Sequence, residues 1–163
     1  MKKPDFLKLL RELVEHDVQF IVIGGIAAVL QGATFSTFDL DVVHARKPDN
    51  VERLTRAFIP LNARYRSQQD VAPSCNHLLS PGVQLLSTIH GPLDLLGSIE
   101  GGRDYDSLLP YTKILDVGLK SGVCVLSLAM LLSLKEASSE PKDQNQALIL
   151  RRVIQEENRR SQR

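Results

Sequence analysis

Two aspartates one residue apart, Asp39 and Asp41, stand in an otherwise apolar segment, TFDLDVV. In an extended chain they point to the same side, where two ionised carboxylates repel one another unless a cation lies between them. An all-oxygen donor set favours Mg²⁺ or Mn²⁺ over zinc. Asp94 is the natural third ligand, because it is the only acid in the apolar run from Val83 to Ile99. Three strand carboxylates around one or two such ions suit phosphoryl-type transfer, in which the metals bridge triphosphate oxygens and activate a hydroxyl. The competing reading is structural, with Asp39 as a cap and Asp41 solvated at a strand end.

Upstream, Gly24-Gly25 separates the apolar run FIVI from IAAVLQ. A paired glycine between strand and helix bares backbone N–H groups at a helix start, a ready place for an anion. A tight turn with no ligand is the alternative. Two other nucleotide sites are excluded by the text itself: there is no G-x-x-x-x-G-K-[ST], and G-x-G-x-x-G fails because Ile26 follows Gly25.

These residues need elements to hold them. Residues 5–16 carry apolar side chains at helical spacing behind Asp5, a fair N-cap. Phe20 to Ile23 reads as a strand covered on both faces, and Ile26 to Gln31 as a short helix closed at Gly32. Thr37 to Val43 is the carboxylate strand, with Thr37, Asp39, Asp41 and Val43 on one face and Phe38, Leu40 and Val42 on the other. A helix is expected over Asn50 to Phe58, stopped by Pro60, then a polar loop from Asn62 to Ala72. Asn76 to Leu79 and Val83 to Ile89 read as a hairpin across Ser80-Pro81-Gly82. Gly91-Pro92 breaks the path before a strand over Leu93 to Leu96. A helical turn at Tyr105 to Leu109, strands at Lys113 to Val117 and Val123 to Leu126, and a Ser127-capped helix over Leu128 to Ala137 follow. A last helix begins at Pro141 and ends in a charged tail. Strands and helices mix without regular alternation, which gives an α/β (α+β) class with a mixed sheet flanked by helices. At 163 residues the chain is expected to be one domain, 1–163.

A formal net charge of +1 argues against a strongly basic nucleic-acid binder. Arg151, Arg152, Arg159, Arg160 and Arg163 do make the C-terminus basic, offset in part by Glu156 and Glu157, as a solvated helix face or a polyanion contact. No apolar run reaches the roughly 18–20 residues of a membrane span, and no signal-type apolar core follows the first residues. Cys75 and Cys124 lack metal-type spacing. They read as reduced, buried thiols, so a cytoplasmic protein is expected. His44, next to the aspartate strand, is within sequence reach of the site.

With these blocks in order, the chain resembles nucleotidyltransferases of the DNA polymerase β superfamily, particularly the small bacterial AbiEii-like or minimal ones. The resemblance rests on Ile23-Gly24-Gly25, a thirteen-residue spacer, and Asp39-Leu40-Asp41-Val42. GPLDLLG at 91–97 is similar to the family's third-carboxylate strand, and VLSLAMLLSLKEASSEPKD at 125–143 to its C-terminal segment. The resemblance implies that Asp39, Asp41 and Asp94 hold Mg²⁺ or Mn²⁺, with Asp94 assisting deprotonation of the acceptor hydroxyl. It implies that Gly24 and Gly25 contact the triphosphate, and it makes Thr37, Lys135 and Lys142 candidates for nucleotide contact. β-strand propensity explains Thr37 equally well, a snorkelling stem explains Lys135, and the helix dipole disfavours a cation at Lys142.

The implied reaction moves an NMP from an NTP, ATP first among them, to a hydroxyl on a small molecule, a protein or an RNA, with release of pyrophosphate. The alternative is a partner-binding half of a toxin–antitoxin or abortive-infection pair. A protein partner or a homodimer is compatible with either. Two departures from the pattern stand out: Phe38 where relatives often carry a charge, and Glu140 where an Arg commonly precedes Pro-Lys-Asp.

Overall fold

A computed structural model describes residues 2–163. The centre of the molecule is Phe20–Ile23 (β1), a four-residue run in which every side chain is buried. On one side β1 pairs antiparallel with Leu40–His44 (β2), and on the other it runs parallel to Val123–Leu126 (β7). β2 runs parallel to Gly91–Leu96 (β5). Beyond β5 come Val83–Thr88 (β4) and the two-residue strand Arg64–Tyr65 (β3), both antiparallel to their neighbours. Thr112–Leu115 (β6) closes the far edge against β7. The result is one seven-stranded mixed sheet in the order β3-β4-β5-β2-β1-β7-β6.

Two groups of helices cover this sheet. Phe6–Glu15 (α1), Pro48–Leu61 (α3) and Cys75–Leu79 (α4) pack in succession, α1 on α3 and α3 on α4. They lie over the face that carries Leu40, Val42 and His44, where His44 Nε2 meets the carbonyl of Leu78 at 2.6 Å. Gly24–Leu30 (α2), Leu128–Glu136 (α6) and Pro141–Ser161 (α7) form the other group. Gln31 ties α2 to the sheet, its Nε2 donating to the carbonyls of Ala27 at 2.9 Å and Leu126 at 2.8 Å. Tyr105–Leu108 (α5) is a single turn fixed by a reciprocal Asp104–Ser107 cap. α1 is amphipathic as its spacing predicts, with Leu9, Leu10, Leu13 and Val14 buried and Asp5 accepting from the Lys8 amide at 3.1 Å.

The structure differs from the sequence reading in several places, each with a local cause. The segment at 76–79 is helix α4 rather than a strand, because the Ser74 hydroxyl accepts the His77 amide at 3.2 Å and starts a turn. The hairpin is therefore β4–β5, turned at Ile89-His90. Thr88 Oγ1 fixes that turn by donating to the Gly91 carbonyl at 2.7 Å and accepting the His90 amide at 3.1 Å. Pro60 does not stop α3, which runs to Leu61 and ends at Asn62 in the left-handed region (φ 48°). Lacking an N–H, Pro60 costs the helix one bond to the preceding turn, and the helix ends one residue later, so a single lost bond does not break it earlier. The expected loop at 62–72 contains β3. α2 begins at Gly24 itself, so the paired glycines form its first turn. β2 begins only at Leu40, since the Thr37 hydroxyl donates to the Asp39 carbonyl at 3.2 Å and bends the chain there. Cys75 is exposed and Cys124 half-buried, and both thiols are free.

Candidate active site

The parallel pairing of β2 with β5 sets Asp41 directly opposite Asp94. Register partners on adjacent strands point to the same face, so two carboxylates meet on the α2 side of the sheet. Both are half-buried. Burial and the adjoining Asp94 carboxylate push the Asp41 carboxyl up to about 7, with Asp39 adding to the effect and Lys135 opposing it. The Asp41 carboxyl is thus poised between its protonated and ionised forms near neutral pH, a balance that a bound cation would tip toward the carboxylate.

Gly24 is what lets this pair exist. Its φ of +66° lies in the left-handed region, and a Cβ there would collide with the Asp41 carboxylate. The next glycine is nearly as constrained, since a Cβ on Gly25 would lie 3.0 Å from both Cβ and Oγ1 of Thr37. The α2 N-terminus has no side-chain cap, which leaves its first amides free of a protein side-chain acceptor. Thr37 therefore packs on Gly25 while its hydroxyl proton is used by the Asp39 carbonyl.

Asp39 precedes the strand and is partly exposed. Its Oδ1 lies 3.9 Å from Nη2 of Arg66, a residue that the sequence reading left in a polar loop. The same nitrogen forms an ion pair with Asp94. Register explains how Arg66 arrives. Its amide continues the β3–β4 ladder by donating to the Leu85 carbonyl at 3.0 Å, and Leu85 is the β4 partner of Asp94. Arg66, Leu85, Asp94 and Asp41 thus form one row across four adjacent segments. The side chain spans the two strand spacings of about 10 Å with Nε anchored on the Leu86 carbonyl at 3.1 Å. Nothing in the local text RYR distinguishes Arg66 from Arg64; only the strand pairing does.

Lys135 stands on the other flank, half-buried, close enough to act on Asp41 and bonded through Nζ to Asp143 Oδ1 at 2.8 Å. That contact holds the Asp143 carboxyl below its ordinary range and ties α6 to the first turn of α7. Lys142, the neighbouring candidate, is exposed and takes no part in these contacts. His44 is buried on the opposite face of the sheet, with burial lowering its pKa, so it does not reach the carboxylates. Among the described residues, no three His, Cys, Asp or Glu side chains converge as a closed metal cage. Asp41 and Asp94 form the close pair, and Asp39 leans toward the arginine. The donor set is all oxygen and its crowded charge suits a hard cation.

A cleft of about 450 Å³ is lined by Lys3, Pro4, Phe38, Thr88, Ile89 and Pro92. Phe38 is 75% exposed although it directly precedes Asp39. The N-terminal segment is fastened to this wall by the Asp5 amide, which donates to the His90 carbonyl at 2.8 Å.

Neither protein-family models nor characterised protein sequences match this chain. Solved structures do. One is a crystal structure of a candidate nucleotidyltransferase from Thermotoga maritima, 19% identical, with a TM-score of 0.51 over 99% of this chain and 94% of that one. Another is the lincosamide antibiotic adenylyltransferase LnuA with lincomycin bound, 14% identical, with a TM-score of 0.61 over 93% of this chain and 99% of that one. The chain has a nucleotidyltransferase-like fold. The mixed sheet with its flanking helices is thus the architecture that the family resemblance implied, matched over nearly the full length of both neighbours.

Proposed function

We propose that this protein transfers a nucleoside monophosphate from an NTP to the hydroxyl of a small-molecule acceptor. The observation that carries the reading is the register of Asp41 with Asp94 on adjacent parallel strands, cradled by Gly24. The fold supports it, since one neighbour of nearly the same extent is an adenylyltransferase with a small antibiotic bound.

In this reading Asp39, Asp41 and Asp94 hold Mg²⁺ or Mn²⁺, which when bound neutralises triphosphate charge and lowers the pKa of an attacking hydroxyl. The first amides of α2, at Gly24 and Gly25, receive phosphate oxygens. Lys135 adds positive charge on the Asp41 side, and Lys142 is a more peripheral candidate for the same role. Thr37 acts by holding the bend that presents Asp39. Asp94 accepts the proton of the acceptor hydroxyl as its oxygen bonds to the α-phosphorus. The bond from that phosphorus to the β-bridging oxygen breaks, and pyrophosphate leaves. ATP is the first nucleotide to test. The Phe38–Ile89–Pro92 cleft receives the acceptor, because it is apolar, of small-molecule size and lined by Phe38, the residue before Asp39.

The test is purified protein incubated with each α-labelled NTP, Mg²⁺ and a small-molecule extract. Label appearing on an acceptor with wild-type protein and lost with Asp41→Ala or EDTA supports the reading. Absence of both transfer and metal-dependent NTP binding removes it.

A further inference from the structure

Arg66 is a cation built into a site that otherwise needs one. Its Nη2 pairs with Asp94 and lies 3.9 Å from Asp39, so it touches two of the three carboxylates assigned to metal. Both its amide and its Nε are fixed to the β4 backbone, at Leu85 and Leu86. The guanidinium is therefore held in place by the fold and is not a surface side chain that happens to rest there. It also bears on the arrangement of the acids: Asp94 meets Asp41 on one side and this nitrogen on the other, and Asp39 faces the same nitrogen.

We infer that Arg66 is an internal counter-ion that competes with a divalent cation for these carboxylates, so that Arg66 sets how tightly this site binds metal. The inference rests on the metal-site reading above. A metal at the Asp41–Asp94 pair would lie a few ångströms from the Arg66 guanidinium on Asp94 Oδ1, and the repulsion between these like charges weakens metal binding whether or not the contact survives. The Nε bond to Leu86 keeps the arginine from moving away. Its planar donor fork also suits a phosphate brought in beside the metal. Arg66 is a positioning residue here, acting on the metal through the carboxylates.

Mn²⁺ binding to the nucleotide-free protein, measured by calorimetry at pH 8, tests this without reference to turnover. Arg66→Ala and Arg66→Gln are each expected to tighten Mn²⁺ binding roughly tenfold, the scale of one unit charge removed from contact distance in a half-exposed site. Arg66→Lys keeps the charge and is expected to stay near the wild-type value. Arg64→Ala removes the same charge two residues earlier, at a side chain that touches no carboxylate, and serves as the control. A merely structural role for Arg66 would loosen the site and weaken Mn²⁺ binding. Unchanged or weaker binding in both folded Arg66 variants, with wild-type binding intact, overturns the inference and leaves the metal site standing. If wild type and every variant bind no Mn²⁺, the metal-site reading fails and this inference falls with it.

Discussion

Asp41 is the residue on which charge, burial and packing converge. Its carboxyl is raised from 3.8 to about 7, first by burial and then by Asp94. A raised folded-state value means that the metal-free native protein holds a proton which the unfolded chain has given up. The stability this proton supplies is complete below about pH 4, falls as pH rises toward 7, and is lost above that. Asp41→Asn removes the dependence. In EDTA the variant is expected to melt above wild type at pH 8 and to converge with it near pH 4. The full shift corresponds to about 4 kcal/mol, and solvent screening at this half-exposed pair reduces the expected gain to about 1–2 kcal/mol. A variant less stable than wild type at pH 8 would show that the carboxylate is not under charge strain. Mn²⁺ must also displace that proton, so its affinity should fall as pH drops below about 7, which a titration series between pH 6 and 8 would read out.

At the scale of elements, the strand–turn–helix–strand unit from β1 to β2 positions half of the site and β5 supplies the rest. Gly24 is its tightest joint, with a left-handed backbone and no room for a Cβ beside Asp41. Gly24→Ala is expected to cost about 1–3 kcal/mol and to abolish nucleotide transfer, whereas Gly32→Ala, also at positive φ but meeting only an ordinary contact with Val153 Cγ1 at 3.8 Å, should lose stability without losing the site. Comparing thermal unfolding with transfer in the two variants separates strain from function. Much of this unit was legible in the text. The β-branched run of β1, the paired glycine and the alternation of Leu40, Asp41 and Val42 follow local rules that the sheet obeys, while the strand expected from Thr37 begins only at Leu40, and Asp94 stands out as a lone acid in an apolar run. What was hidden depends on pairing. The 76–79 segment has strand-like leucines, yet a Ser74 cap and the cover of β2 through His44 make it a helix. Arg66 becomes part of the site only because β3 and β4 align it with Asp94, a relation between residues 28 positions apart that no local spacing encodes.

At the scale of the molecule, the single sheet joins every segment through β1 and β2, and no helix among the described residues is long and apolar enough to cross a membrane. A chain built on one shared sheet should unfold in one cooperative step. Far-ultraviolet circular dichroism and tyrosine fluorescence are expected to give coincident denaturant curves, and two separated transitions would divide the 1–163 unit. The exposed wall at Phe38 makes a different prediction. Phe38→Ser should change stability by less than about 0.5 kcal/mol while lowering transfer to acceptor and leaving metal-dependent NTP binding intact. A loss of NTP binding instead would assign the cleft to the nucleotide. The measurement that bears most directly on the account is the fate of the phosphates when ATP labelled at the α or the γ position is incubated with wild-type protein, Mg²⁺ and acceptor. The account predicts α label on the acceptor and γ label in pyrophosphate, both abolished by Asp41→Asn. γ label on the acceptor, or transfer that persists in Asp41→Asn, would contradict it.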